Sequence, residues 1–130
     1  MGNEIYDDLD ELPAPPRVDI PAADLVLLEQ AARAIGAVLV EVVDGEGYVN
    51  LHFADESIIY AWNPLLFSGD AFELMAKLQM QVDYFARGHR ETGFVGAQCG
   101  PNILITEPKQ GDVSAATRRA ITRAAGEIAN

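Results

Sequence analysis

Arginines are the side chains of this sequence whose spacing best suits a chemical role. Two fall in a polar loop and three on a closing helix: Arg87, Arg90, Arg118, Arg119 and Arg123. Such a group on an acidic chain forms a local positive patch that suits an anionic small ligand such as a nucleotide. Tyr84 can stack on a base, although its place in an alternating strand also suits the core. The structural alternative pairs Arg123 with Glu127 four residues on and leaves Arg118 in solvent.

Histidine and cysteine are too sparse to predict a metal site or a catalytic nucleophile. The chain has His52, His89 and the single Cys99 at no ligand-like spacing, whereas a structural zinc site takes four such ligands. Cys99 stands before Gly-Pro with no histidine pattern beside it, and Ser68 lacks the flanking glycines of a nucleophile elbow. We therefore expect no metal, no cofactor and no enzymatic activity.

The chain is organised around residues 62–78, where a strand ends and a helix begins. The residues expected to build this corner are Trp62, Asn63, Pro64, Ser68, Gly69 and Asp70. The proline lacks a backbone N–H and biases the preceding asparagine towards extended geometry, so the strand ends there. The serine or the aspartate then caps a short amphipathic helix, and Glu73 completes a capping box. The aspartate also argues against a phosphate site, because its charge stands where an anion would bind.

The same stretch carries a resemblance to a known family. Trp-Asn-Pro-Leu followed by Gly-Asp-Ala-Phe-Glu-Leu-Met-Ala-Lys-Leu resembles the core motif of small phage and prophage proteins with an α/β/α "phage ABA sandwich" domain. A leading helix at 27–36 and a closing helix at 115–128 resemble the family in the same order. Leu66 and Phe67 depart from the more polar residues expected of the family at the corner. The resemblance implies a fold and a phage context, and it implies no established activity.

Hydrophobic periodicity predicts a single domain at residues 21–130 after an acidic, proline-containing arm at residues 1–20. The predicted helices lie at 21–35, at 69–79 and from a cap at Asp112 or Ser114 to about residue 129. The predicted strands lie at 37–43, 48–53, 58–62, 81–86, 94–99 and 103–106. This α-βββ-α-βββ-α order predicts the α+β class, with helices packed on the faces of an antiparallel sheet as an α/β/α sandwich.

Net charge is the strongest compositional signal. Nine basic and twenty acidic residues give −11, which repels nucleic acid and anionic lipid, so we expect neither as a partner. The charge serves either solubility or docking on a basic protein. Candidate contacts are acids of the arm and of one turn, with an apolar pair at the corner: Glu4, Asp7, Asp8, Asp10, Glu11, Asp55, Glu56, Leu66 and Phe67. We expect the apolar pair to be buried within the monomer, because sheet and helix meet there.

Three functions fit these features. The first is a phage-encoded inhibitor that, like an anti-CRISPR protein, docks its acidic surface on a basic, nucleic-acid-binding host defence protein. The second is an oligomeric sponge that sequesters an anionic nucleotide defence signal with the arginines listed above. The third is a structural or housekeeping phage protein. The single cysteine and the acidic N-terminus favour the bacterial cytoplasm, and a homodimer or higher homo-oligomer is an open alternative.

Overall fold

The computed structural model describes residues 16–84 and 93–129, and it confirms the predicted α+β class and element order. The elements are α1 (Ala22–Ala34), β1 (Ala37–Val43), β2 (Tyr48–Phe53), β3 (Ile58–Trp62), α2 (Ser68–Lys77), β4 (Gln81–Tyr84), β5 (Phe94–Cys99), β6 (Ile103–Pro108) and α3 (Val113–Ala129). Strands β1, β2, β3 and β5 have the predicted bounds. The predicted end of β4 at residue 86 lies outside the described residues, as does the arm up to residue 15.

The six strands form two antiparallel sheets, with the orders β1-β2-β3 and β4-β5-β6. In the first sheet Val40 pairs with Leu51 and Val42 with Val49, which turns the apolar side chains of β2 towards the core. Short turns join β1 to β2, β2 to β3 and β5 to β6, and in both sheets strands that follow each other in the chain are neighbours, which is the strand order of a meander. Helix α2 separates the two meanders along the chain, and no strand pairing links one described sheet to the other.

Helix α3 connects the parts of the fold. It packs against α1, α2, β5 and β6, while α1 also packs on β1. A Cβ added at Gly126 would lie 3.2 Å from the side-chain oxygen of Gln30, which shows how closely α3 approaches α1. Contacts therefore run from the first sheet through α1 and α3 to the second sheet. Most buried positions of α3 are small: Ala116, Ala120, Ile121, Thr122, Ala124, Ala125 and Gly126.

Fully buried aliphatic side chains from different elements form the core between these layers. Leu28 on α1, Leu51 on β2 and Leu74 on α2 are each at most 1% exposed. Burying a leucine side chain stabilises the fold by about 1.5–3 kcal/mol relative to leaving it in water. Trp62, at the end of β3, closes this core beside the corner that leads into α2.

The corner at residues 62–70 is built around the buried side chain of Asn63. Its Nδ2 donates to the carbonyl of Gly47 at 2.7 Å, and its Oδ1 accepts from the backbone N–H of Leu65 at 2.9 Å. The carboxylate of Asp70 accepts from the backbone N–H of Asn63 at 2.9 Å. These bonds tie the end of β3 to the β1–β2 turn and to the first turn of α2.

The predicted capping box at the start of α2 is wrong. The N-cap position is occupied by Phe67, whose side chain cannot accept a hydrogen bond, and α2 has no side-chain cap. Asp70 is used instead to hold the corner, because its carboxylate reaches back to Asn63. The predicted cap of α3 is confirmed, since Asp112 Oδ1 accepts from the backbone N–H of Ala115 at 3.0 Å.

The described residues of the predicted arm contact the β1–β2 turn. Arg17 binds Asp44 at 2.9 Å and Asp19 at 3.2 Å, and the backbone N–H of Val18 donates to the carbonyl of Gly45. Residues 17–19 therefore continue the domain surface ahead of α1. None of the helices in residues 16–84 and 93–129 combines the length and apolar character needed to cross a membrane.

Candidate functional site

A groove of about 400 Å³ lies between α2, α3 and β4. Its apolar lining consists of Ala71, Phe72, Met75, Val82, Val113 and Ile121. Its polar lining consists of Ser68, Tyr84, Ser114, Thr117 and Arg118. No carboxylate lines it among the described residues, although acids outnumber bases more than twofold in the whole chain. The groove is therefore an apolar site with a local excess of positive charge.

Secondary structure explains how three elements direct side chains into this groove. Phe72 and Met75 are three residues apart on α2 and share one helical face. Val82 and Tyr84 are two residues apart on β4 and share the sheet face that α3 covers. The Tyr84 hydroxyl is 3.1 Å from the Thr117 hydroxyl, which itself donates to the carbonyl of Val113 at 2.7 Å. This pair of bonds fixes the Tyr84 ring against the N-terminal part of α3.

Arg118 spans the groove between α3 and the corner. Its Nε donates to the carbonyl of Leu65 at 2.9 Å, and its Nη1 lies 3.3 Å from the hydroxyl of Ser68. Both acceptors are neutral, and no salt bridge to Arg118 occurs within the described part of the chain. The predicted solvent position of Arg118 is therefore wrong, because the side chain crosses to the corner and joins two helices.

The other two arginines of α3 serve a different purpose. Arg123 binds Glu107 at 2.6 Å, and Arg119 binds Glu107 at 3.2 Å and Asp24 at 3.1 Å. Glu107 is a buried acid whose β6 position faces α3, so its charge requires compensation from that helix. The predicted pair between Arg123 and Glu127 is therefore wrong. Arg119 and Arg123 are neutralised within the fold and do not line the groove, and Arg87 and Arg90 lie outside the described residues.

The apolar corner is exposed, so its predicted burial within the monomer is wrong. Leu66 and Phe67 are 50% and 41% exposed, because they stand on the outer side of the turn that precedes α2, while Leu65 packs on the core. Phe72 and Tyr84, which line the groove from α2 and β4, are 60% and 51% exposed. We call Leu66, Phe67, Phe72 and Tyr84 the apolar rim.

The acidic candidates lie at another place. Asp55 and Glu56 are exposed in the β2–β3 turn, near Lys77 at the end of α2, whereas Leu66 and Phe67 precede its start. A ten-residue helix is about 15 Å long, so the two candidate sets lie towards opposite ends of α2 and are not adjacent. The acids of the arm lie outside the described residues.

Hydrogen bonding and burial set the charges of two acids in opposite directions. The hydroxyl and backbone N–H of Ser57 bind Asp55 and lower the pKa of its carboxyl, which keeps this exposed acid ionised. Burial raises the pKa of Asp70, and the hydrogen bond from Asn63 offsets only part of that rise. Asp70 is therefore a partly buried acid that holds the corner together, whereas Asp55 is a charged acid on the surface.

Histidine and cysteine have local structural contacts. His52 Nε2 is 3.1 Å from a carboxylate oxygen of Glu41 on the neighbouring strand, and Cys99 Sγ is 3.5 Å from the carbonyl of Leu78. Within residues 16–84 and 93–129, no group of three or more histidines, cysteines or acids is arranged to hold a metal ion.

Patterns in the sequence did not identify most of the residues that line the groove. Phe72, Met75 and Val82 carried only the periodicity of core residues, and Thr117 carried no signal. Their convergence depends on the approach of α2, β4 and α3, which no local pattern encodes.

Comparison with known proteins finds no matching family model, no matching curated protein and no matching solved structure. The resemblance to phage ABA-sandwich proteins therefore stays a hypothesis drawn from the motif.

Proposed function

We propose that the protein is a non-enzymatic, phage-encoded accessory protein that binds and inhibits a component of a bacterial anti-phage defence system. The observation that carries the proposal is the apolar rim, which exposes four large side chains, two in the lining of the groove and two at the corner that precedes α2. Exposed apolar groups gathered at one place are typical of binding surfaces. The phage and cytoplasmic context is supported by the resemblance at residues 62–78 and by the single cysteine.

Charge supports a basic protein as the partner. The net charge of −11 creates a long-range field that attracts a basic surface and raises the association rate. The described turns of the first sheet contribute exposed acids, including Asp55 and Glu56. In this proposal the acidic surface steers the encounter, and the apolar rim supplies the short-range contact.

Affinity capture from infected bacteria that carry a defence system tests the proposal. We expect the tagged protein to retain a stoichiometric basic protein and the variant Leu66→Ser with Phe67→Ser to lose it. Leu104→Ser is the matched control, because Leu104 is 61% exposed on the second sheet and away from the rim. Full inhibition of the defence system by the double variant would contradict docking through the rim.

Neutralisation of acids tests the electrostatic part of the proposal separately. We expect a variant that combines Asp55→Asn and Glu56→Gln with neutral replacements of the arm acids to associate with the partner more slowly than the unmodified protein. The difference in association rate should shrink as added salt screens the field. An unchanged association rate at low salt would refute steering. A phage lacking the protein that grows normally in defended hosts would favour a housekeeping role.

A second candidate function is an oligomeric sponge for an anionic nucleotide signal. It is favoured by the meeting of Arg118 and the aromatic ring of Tyr84 in one groove. Heating the protein purified from infected cells should release the nucleotide, and size-exclusion chromatography with light scattering should report more than one copy. A clean monomer without a released nucleotide would contradict this candidate.

A further inference from the structure

We infer that the groove between α2, α3 and β4 binds a small ligand made of an aromatic body and a single anionic group. The inference deepens the second candidate function and rests on it for the biological setting, while the chemistry follows from the lining of the groove.

The anionic part of the ligand is selected by Arg118. Its hydrogen bonds to Leu65 and Ser68 use only part of the donors of a guanidinium, and both acceptors are uncharged. An anion in the groove would therefore meet a cation that no described carboxylate neutralises. The hydroxyl of Ser114, in the first turn of α3, lies in the same lining and can donate to the same anion.

The aromatic part is selected by the apolar lining. Phe72 on α2 and Tyr84 on β4 supply aromatic rings from two different elements, and Met75, Val82 and Ile121 add further apolar lining. Flat rings gain contact area and ring–ring interactions in such a site. A volume of about 400 Å³ lies within the range of small-molecule sites and suits a bicyclic or tricyclic body.

The described lining favours a ligand with about one negative charge. Arg118 is the single cation among the described lining residues, and the whole chain carries −11. Each further negative charge on a ligand would find no second cation among the described lining residues, and it would be repelled by the field of the protein. A polyphosphate nucleotide should therefore bind more weakly than an aromatic monoanion.

Two fluorescent probes with the same rings separate the contribution of the anionic group to binding from that of the rings. Anilinonaphthalene sulfonate carries one negative charge, and phenylnaphthylamine is neutral. We expect the sulfonate to bind one site per chain, with amide chemical-shift changes confined to α2, β4 and the start of α3. We expect it to compete with an aromatic carboxylate and to be displaced poorly by adenosine triphosphate.

Substitutions then assign the roles. Ser114→Asp places a carboxylate in the lining without touching the bonds of Arg118, and an acid in the first turn of a helix favours folding. We expect it to weaken sulfonate binding about tenfold and to change the neutral probe less than twofold. Arg118→Gln should act in the same direction, and Arg33→Gln, an exposed arginine on α1, is the control for net charge. Phe72→Ala should weaken both probes.

Equal loss of both probes in folded Ser114→Asp, or sulfonate binding spread over many sites, would overturn the inference. Failure of the unmodified protein to bind the sulfonate at one site per chain would also overturn the inference. Selective sulfonate binding by a protein that yields no nucleotide from infected cells would refute the sponge and leave the groove chemistry standing.

Discussion

Neutralising Glu107 should destabilise the protein more than any other single loss of charge among the described residues. Its side chain is 11% exposed and is held by Arg119 and Arg123 at 3.2 and 2.6 Å. Removing one member of a buried ion pair costs about 3–5 kcal/mol. Both arginines are about two-fifths exposed and regain hydration when the charge is lost, so we expect about 2 kcal/mol for Glu107→Gln.

This free energy converts into a measurable melting shift. Unfolding entropy of about 2.1 cal/mol/K per residue over 130 residues gives about 0.27 kcal/mol/K. A loss of about 2 kcal/mol should therefore lower Tm by about 7 °C, as measured by calorimetry or circular dichroism. Glu127→Gln is the matched control, because Glu127 is exposed and makes no salt bridge within the described residues.

The network itself is tested by a double-mutant cycle. Combining Glu107→Gln with Arg123→Gln should cost less than the sum of the single changes by about 1 kcal/mol or more, because both remove the same contact. A Tm for Glu107→Gln within 2 °C of the Glu127→Gln control, on a scale of about 4 °C per kcal/mol, would refute the reasoning. Strict additivity in the cycle would do so independently.

Four further substitutions test local features of the fold. Gly47→Ala should cost about 3 kcal/mol in urea unfolding and Gly36→Ala about 1 kcal/mol, since both have positive φ but only the Cβ at Gly47 would meet a neighbouring side chain, at 2.5 Å. Ser57→Ala should raise the pKa of Asp55 towards its ordinary value in an NMR titration, and an unmoved pKa would argue against the hydrogen-bond cause. Burial raises the pKa of the Asp70 carboxyl in the folded state above its value in the unfolded chain. The stability contributed by this difference is therefore fully present below the unfolded pKa, and it is lost as pH rises through the folded pKa. Asp70→Asn should therefore gain stability over the unmodified protein at neutral pH, and the gain should disappear below pH 3.8, where persistence of the gain would contradict the assignment.

Local pattern was enough to predict the elements. Strands β1 and β2 could be predicted because the valine-rich run of β1 and the alternating residues of β2 are separated by a turn rich in glycine and acid. The chain geometry of such a turn depends mainly on neighbouring residues. The N-cap of α3 at Asp112 could be predicted for the same reason. The class and order of the fold followed from these local signals.

Contacts between residues that are far apart in the chain could not be predicted from the sequence. Glu107 directly follows the predicted end of the last strand, and only the packing of α3 on β6 shows that it is buried. Arg118 reaches Ser68, fifty residues earlier, across a groove that exists only after α2 and α3 have packed. The corner was misjudged because the helix begins one residue before the predicted start, which leaves Phe67 at the N-cap and on the surface.

The position of α3 in the chain has a consequence for how the protein is made. The ribosome produces α1, both sheets and α2 before α3, the helix on which α1, α2, β5 and β6 pack, so the growing chain has apolar faces that α3 does not yet cover. At roughly 5–20 residues per second, the 17 residues of α3 need about 1–3 s to appear. During that interval chaperones and proteases meet an unfinished molecule. A premature stop before Val113 should therefore yield a product that is degraded or aggregates, rather than a smaller working domain.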